Sequence, residues 1–81
     1  MAAERANAVE KALSIIESFR EGNDRLSLQE ISERTHLNKA TIIRLIASLE
    51  KFGYVLRVRK GESALGPTFL EFGNLYQNSF Q

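Results

Sequence analysis

Three groups of side chains in this sequence could do chemistry, and two of them lead nowhere. His36 is the only histidine, with Asp24 and Ser27 upstream of it. A Ser-His-Asp relay also needs an oxyanion element and an exposed nucleophile turn, and neither accompanies the trio. A structural or catalytic metal needs several nitrogen, sulfur or carboxylate ligands together, and a single histidine without any cysteine offers no such set. No catalytic constellation remains, so neither an enzyme nor a cofactor is expected. The third group is basic and polar. In "LNKATIIRLIASLEK", Thr41, Arg44, Ser48 and Lys51 recur at i, i+3, i+7 and i+10, a helical spacing. Lys39 stands at the start of that helix, where the backbone dipole disfavours a cation by roughly 0.3–1 kcal/mol. Such a lysine makes sense if a negative object faces the helix start.

The charge distribution supplies a candidate for that object. The net charge is only +1, but residues 1–33 carry −3, residues 34–60 carry +6 and residues 61–81 carry −2. Glu50 is the sole acid in the basic third. A segregated block of this kind is the footprint of a polyanion contact, although a solvated basic face would also account for it. The absence of cysteine fits a reducing cytosol. The N-terminal "MAAERANAVEKA" has no apolar signal core, and no apolar run approaches membrane-spanning length. A cytoplasmic protein is expected.

The elements that must position these residues can be read from periodicity and caps. At 81 residues there is room for one domain, with a small core. A first helix is expected from Asn7 to Arg20, capped by Asn7 with Glu10, with Val9, Ala12, Leu13, Ile16 and Phe19 inward. Gly22 ends it. Ser27 with Glu30 forms a second capping box, and Leu26 with Ile31 a hydrophobic staple, so a short second helix reaches about Thr35. Asn38 caps a third helix over 39–52, with Ile42, Leu45, Ile46 and Leu49 inward, and Gly53 stops it. "YVLRVR", "KGE" and "SALG" read as strand, turn and return strand. Pro67 then opens a last helix carrying Phe69, Phe72, Tyr76 and Phe80.

This order gives a mainly α fold, a winged helix-turn-helix with a three-helix core, a two-stranded wing and a C-terminal linker helix. A helix fits the DNA major groove and reads base edges with its N-terminal residues. Lys39, Thr41 and Arg44 are expected to share one face there, and Arg57, Arg59 and Lys60 to bring charge to sugar-phosphate or the minor groove. The aromatic stripe of the last helix is too large for a domain this size to cover alone. It packs either on Val9, Leu13 and Ile16 of the same chain or on a second copy, and a C2 homodimer through the first and last helices is expected. The alternative is a winged-helix protein–protein module binding an acidic partner. Its binding would lack the steep salt dependence of about −0.9 in log-log slope per phosphate.

The segments "AVEKALSIIESF", "LSLQEISERTHLNKATIIRLIASLEKFGYV" and "LGPTFLEFG" resemble the N-terminal domain of IclR-type (isocitrate lyase regulator-like) bacterial transcriptional regulators, from about Ala8 to Tyr76. The resemblance implies a dimer on a pseudo-palindromic double-stranded operator. It also implies that residues 1–66 form the DNA-binding domain, and that 67–81 begin a linker helix toward an absent domain that senses a small-molecule effector. The family's small residue, Thr/Ser, aromatic-or-His and Arg run falls on Ala40, Thr41, Ile43 and Arg44. The DNA-binding set is therefore Ser27, Asn38, Lys39, Ala40, Thr41, Ile43, Arg44, Ser48, Arg57, Arg59 and Lys60. Three positions depart from the pattern. His36 replaces a usual turn glycine, Ile43 a polar or aromatic residue, and Ser63 a large apolar one, which predicts a loosely anchored wing.

Overall fold

The computed structural model describes residues 2–22 and 24–80, with side chains from Asn7 onward. Helix α1 spans Ala2–Glu17, strand β1 Leu26–Ser27, α2 Leu28–Thr35, α3 Lys39–Lys51, β2 Val55–Arg59, β3 Glu62–Leu65 and α4 Thr68–Asn78. Ile15, Phe19, Leu26, Ile31, Ile42, Ile46 and Val55 form one core, with Ile16, Leu28, Leu37, Leu45 and Leu49 packed around it. Among the described residues no helix is long and apolar enough to cross a membrane.

The first helix departs from its expected frame. It begins upstream of Asn7, so Asn7 lies inside the helix and is not its cap. The preceding "AAERA" is made of strong helix formers, which carry the helix past a weak start signal. It also ends before Arg20. Phe19 and Arg20 donate their N–H groups to the Ile16 and Glu17 carbonyls, three residues back, which tightens the last turn. The buried side chains are Ile15 and Phe19, while Val9 and Leu13 are 58% and 56% exposed. "VEKALSIIESF" carries two overlapping apolar stripes, through Ile15 or through Ile16, and packing against α2 and α3 selects between them.

The second helix follows its sequence signals. The Glu30 N–H donates to Ser27 Oγ at 3.1 Å, and the Ser27 N–H donates to Glu30 Oε1 at 2.9 Å. These bonds to Ser27, its backbone N–H foremost, hold the Glu30 carboxyl below the ordinary glutamate range. The turn into α3 passes through His36, at φ 62° and ψ 21°, the left-handed region that histidine tolerates better than most residues. The Ser32 hydroxyl donates to the Leu37 carbonyl at 2.7 Å, and the Leu37 N–H donates to Thr35 Oγ1 at 3.2 Å. Local side chains thus hold the turn that sets α3 against α2.

The wing has a third strand. The sheet order is β1-β3-β2, all antiparallel, with Leu26 opposite Ser63 and Ser27 opposite Glu62. Two residues show no periodicity, which is why β1 reads only as a helix cap in the sequence. The Leu28 N–H also donates to the Gly61 carbonyl at 3.0 Å. The hairpin is therefore tied to β1 along one edge and to α2 at its tip, and the loose wing inferred from Ser63 is not what forms. At its base, Gly53 (φ 80°) and Gly66 meet so closely that a Cβ on Gly66 would collide with the Gly53 carbonyl oxygen. Gly66 N–H to Tyr54 carbonyl (2.8 Å) and Thr68 N–H to Gly53 carbonyl (3.2 Å) close this junction. The Tyr54 ring lies against Phe69 and Phe72, at 5.2 and 6.3 Å between centroids, and so docks the start of α4.

Candidate nucleic-acid interface

Helix α3 is set by its cap and by its apolar face. Asn38 Oδ1 accepts the Thr41 N–H at 2.8 Å, and its extended backbone (φ −75°, ψ 156°) starts the helix. Ile42 and Ile46 are buried, with Leu45 and Leu49 half-buried beside them, so the helix can lie in only one rotation about its axis. At about 100° per residue, Lys39 and Ile43 then fall on one flank of the exposed surface. Ala40, Arg44, Ala47 and Lys51 form the crest, and Thr41 and Ser48 lie on the far flank. Lys39 and Thr41 therefore do not share a face as the sequence suggested; they bracket an exposed arc with Arg44 on its crest. Half-buried Thr41 against exposed Arg44 and Lys39 fits this placement.

The wing stands beside the Lys39–Ile43 flank. Leu28, Ile43, Ile46, Arg57, Lys60, Gly61, Glu62 and Ser63 line one recess of about 220 Å³ between α3 and the hairpin. Ile43, 53% exposed, is thus turned toward the wing rather than straight outward. A bulge at Val58 separates the wing arginines. Arg57 pairs with Ser63, whereas Arg59 pairs with Glu62. Neighbouring residues on β3 face opposite sides, so Arg57 and Arg59 do too, although simple alternation would put them together.

Each wing arginine has a carboxylate partner. Arg57 Nη2 lies 3.0 Å from Glu50 Oε1 on α3, and Arg59 Nε lies 3.5 Å from Glu62 Oε1. Lys39, Arg44, Lys51 and Lys60 make no ion pair or side-chain hydrogen bond among the described residues. Ser27 and Asn38 spend their acceptor oxygens on helix N–H groups, so both enter the site first as caps. The Arg57–Glu50 contact is the feature that sequence reasoning missed. It joins residues seven apart across a turn, and its distance depends on the angle between wing and helix.

The arrangement offers a polar and cationic helix crest, a helix N-terminus and an adjacent free lysine on a hairpin tip. That is a surface for a polyanion with readable edges. Residues 8–59 match the IclR helix-turn-helix domain. The HTH-type transcriptional regulator KipR of Bacillus subtilis (strain 168) is 40% identical over 50 residues, which are 62% of this chain and 20% of that protein. Among solved structures, an IclR transcriptional regulator from Silicibacter sp. TM1040 superposes with a TM-score of 0.81 at 32% identity, over 89% of this chain and 28% of its own. An IclR-family transcriptional regulator from Rhodococcus sp. gives 0.77 at 28% identity, over 86% of this chain and 28% of its own. One from Brucella abortus gives 0.74 at 28% identity, over 85% and 27%. The chain spans less than a third of the length of each of these relatives.

Proposed function

The chain belongs to the IclR helix-turn-helix family, and from that premise we propose that it binds double-stranded DNA sequence-specifically, as the DNA-binding part of a bacterial transcriptional regulator in the cytoplasm. The recognition helix, residues 39–52, enters the major groove, and the wing, residues 55–65, lies on the backbone or in the minor groove. The observation that carries this reading is Arg44, exposed on the crest of α3 with no partner among the described residues. A guanidinium held free at that place can bond guanine O6 and N7 together. Lys39 and Lys60 meet phosphates, while Arg57 and Arg59 exchange their carboxylates for phosphate. Thr41 and Ser48 reach the bases or backbone from the far flank, Ala40 allows close approach, and Ile43 presents methyl groups. Ser27 and Asn38 hold the helix starts that face the DNA.

Two such domains bind a pseudo-palindromic operator as a homodimer through α1 and α4. Residues 1–66 make up the DNA-binding unit, and residues 67–81 open the linker toward an effector-binding domain. The test is Arg44→Ala, read by fluorescence anisotropy on operator sequences selected from a random pool. It should cost about 1–3 kcal/mol and relax base preference at one position per half-site. Unchanged affinity and preference would reject this docking of α3.

A further inference from the structure

The recess between α3 and the wing has properties that contact with DNA does not account for. Two serines in the described chain are nearly buried, Ser18 and Ser63. The Ser18 hydroxyl donates to the Ile15 carbonyl. The Ser63 hydroxyl, in a residue only 6% exposed, has no hydrogen-bond partner among the described residues. Among the described residues no fully enclosed side-chain oxygen or nitrogen is left unpartnered, so this hydroxyl keeps an opening, and Ser63 lines the recess. Leu28, Ile43 and Ile46 supply aliphatic wall, and Lys60 stands on the rim without a counter-charge. The other rim charges are already matched, Arg57 by Glu50 and Glu62 by Arg59. The charge left over is positive.

We propose that this recess binds a small amphipathic organic anion, an aromatic or branched aliphatic carboxylate. Its apolar body lies on Leu28, Ile43 and Ile46, its polar edge meets the Ser63 hydroxyl, and its carboxylate faces Lys60. Water alone could satisfy the hydroxyl but gains nothing from three aliphatic side chains. Size agrees as well, since roughly 150 Å³ of apolar space holds a benzene ring and the recess offers about 220 Å³. A DNA backbone is convex and polar throughout, so it can cross the mouth of the recess without filling it. Bound between the helix and the wing, such an anion would fix their relative angle. The site stands whether or not α3 reads DNA.

The experiment therefore contains no DNA. The 81-residue chain, labelled with ¹⁵N and ¹³C-methyl, is titrated with benzoate and, separately, with the neutral benzyl alcohol. Benzoate should shift the Leu28, Ile43 and Ile46 methyls and the Gly61 and Ser63 amides saturably, with Kd on the order of millimolar for a ligand this small. Benzyl alcohol should bind roughly two- to fivefold more weakly, the range of one exposed charge pair. Lys60→Gln should remove that difference, and Ser63→Leu, which fills the recess, should remove the shifts. No saturable shift at tens of millimolar, equal binding of the two probes, or shifts that persist in a folded Ser63→Leu protein would each overturn the site. Lys60→Gln alters only an exposed side chain, so the charge test stands even if Ser63→Leu does not fold.

Discussion

At Lys39 the needs of the helix and those of the proposed DNA contact conflict. The lysine is exposed and has no partner among the described residues in the first turn of α3, where no acidic residue stands to offset the dipole. Lys39→Glu should stabilise the free domain by a few tenths of a kcal/mol in thermal unfolding and abolish DNA binding in the same preparation. Lys39→Ala should weaken binding to all sequences alike and make the salt slope shallower by about 0.9. A sequence-dependent loss would move Lys39 from phosphate to base contact. Glu30 carries a different single-residue prediction. Its folded-state pKa lies below the ordinary value, because its carboxylate accepts the Ser27 N–H. Its contribution to stability is therefore present at neutral pH and is lost as pH falls through the lowered value. Glu30→Gln should flatten that acid limb of the stability–pH curve, with the two proteins converging once Glu30 is protonated. A ¹³C titration of the Glu30 carboxyl that gave an ordinary or raised pKa would contradict the capping geometry.

At the scale of elements, stability should respond most where a cap or a backbone crossing is removed. Ser27→Ala takes the acceptor from the Glu30 N–H and should cost about 1 kcal/mol in urea denaturation. Gly66→Ala drives a methyl into the Gly53 carbonyl and should cost about 1–3 kcal/mol, because neither backbone can yield cheaply. Local signals of this kind were legible. The Ser27–Glu30 box, the Asn38 cap, the inward face of α3 and the Gly53 stop follow from residue type and spacing. What was not legible depended on partners distant in sequence. Ile15 rather than Leu13 faces the core because α2 and α3 lie on that side of α1. β1 exists because β3 passes next to Leu26 and Ser27. The Val58 bulge turns Arg59 away from Arg57 although the text "RVR" alternates. The candidate site was legible only in part. Arg44 is exposed on α3 near Thr41, as the helical spacing expects, but Lys39 lies on the other flank, and the Glu50 partner of Arg57 and the turn of Ile43 toward the wing were set by tertiary angles.

For the molecule as a whole, apolar surface is left uncovered along α1 and α4, and also at Ile43, Phe52, Leu56 and Leu65. Val9 and Leu13 are more than half exposed, as are Phe72, Leu75, Tyr76 and Phe80, with the last two aromatic rings paired at 4.7 Å. The proposed homodimer would bury these two stripes together, and a surface of this kind is costly to leave in water. Sedimentation should show a dimer at tens of micromolar. Leu13→Asp, a change at an exposed site, should leave the fold intact and give a monomer. Its affinity for a two-half-site operator should fall toward that for a single half-site. A monomeric wild-type chain would remove α1 and α4 as the interface.

The contact of Gly53 with Gly66 reaches further than the packing of two glycines. It brings the chain back on itself after twelve intervening residues, with bonds from Gly66 and Thr68 securing the crossing. Everything between is clipped at its neck, with Val55 in the core and β3 held against β1. A change confined to the tip therefore ends at this neck and carries no displacement to α4. Tips of other sequence grafted between Arg57 and Glu62 should change what the wing reaches while the position of α4 stays fixed, which chemical shifts of α4 amides would check.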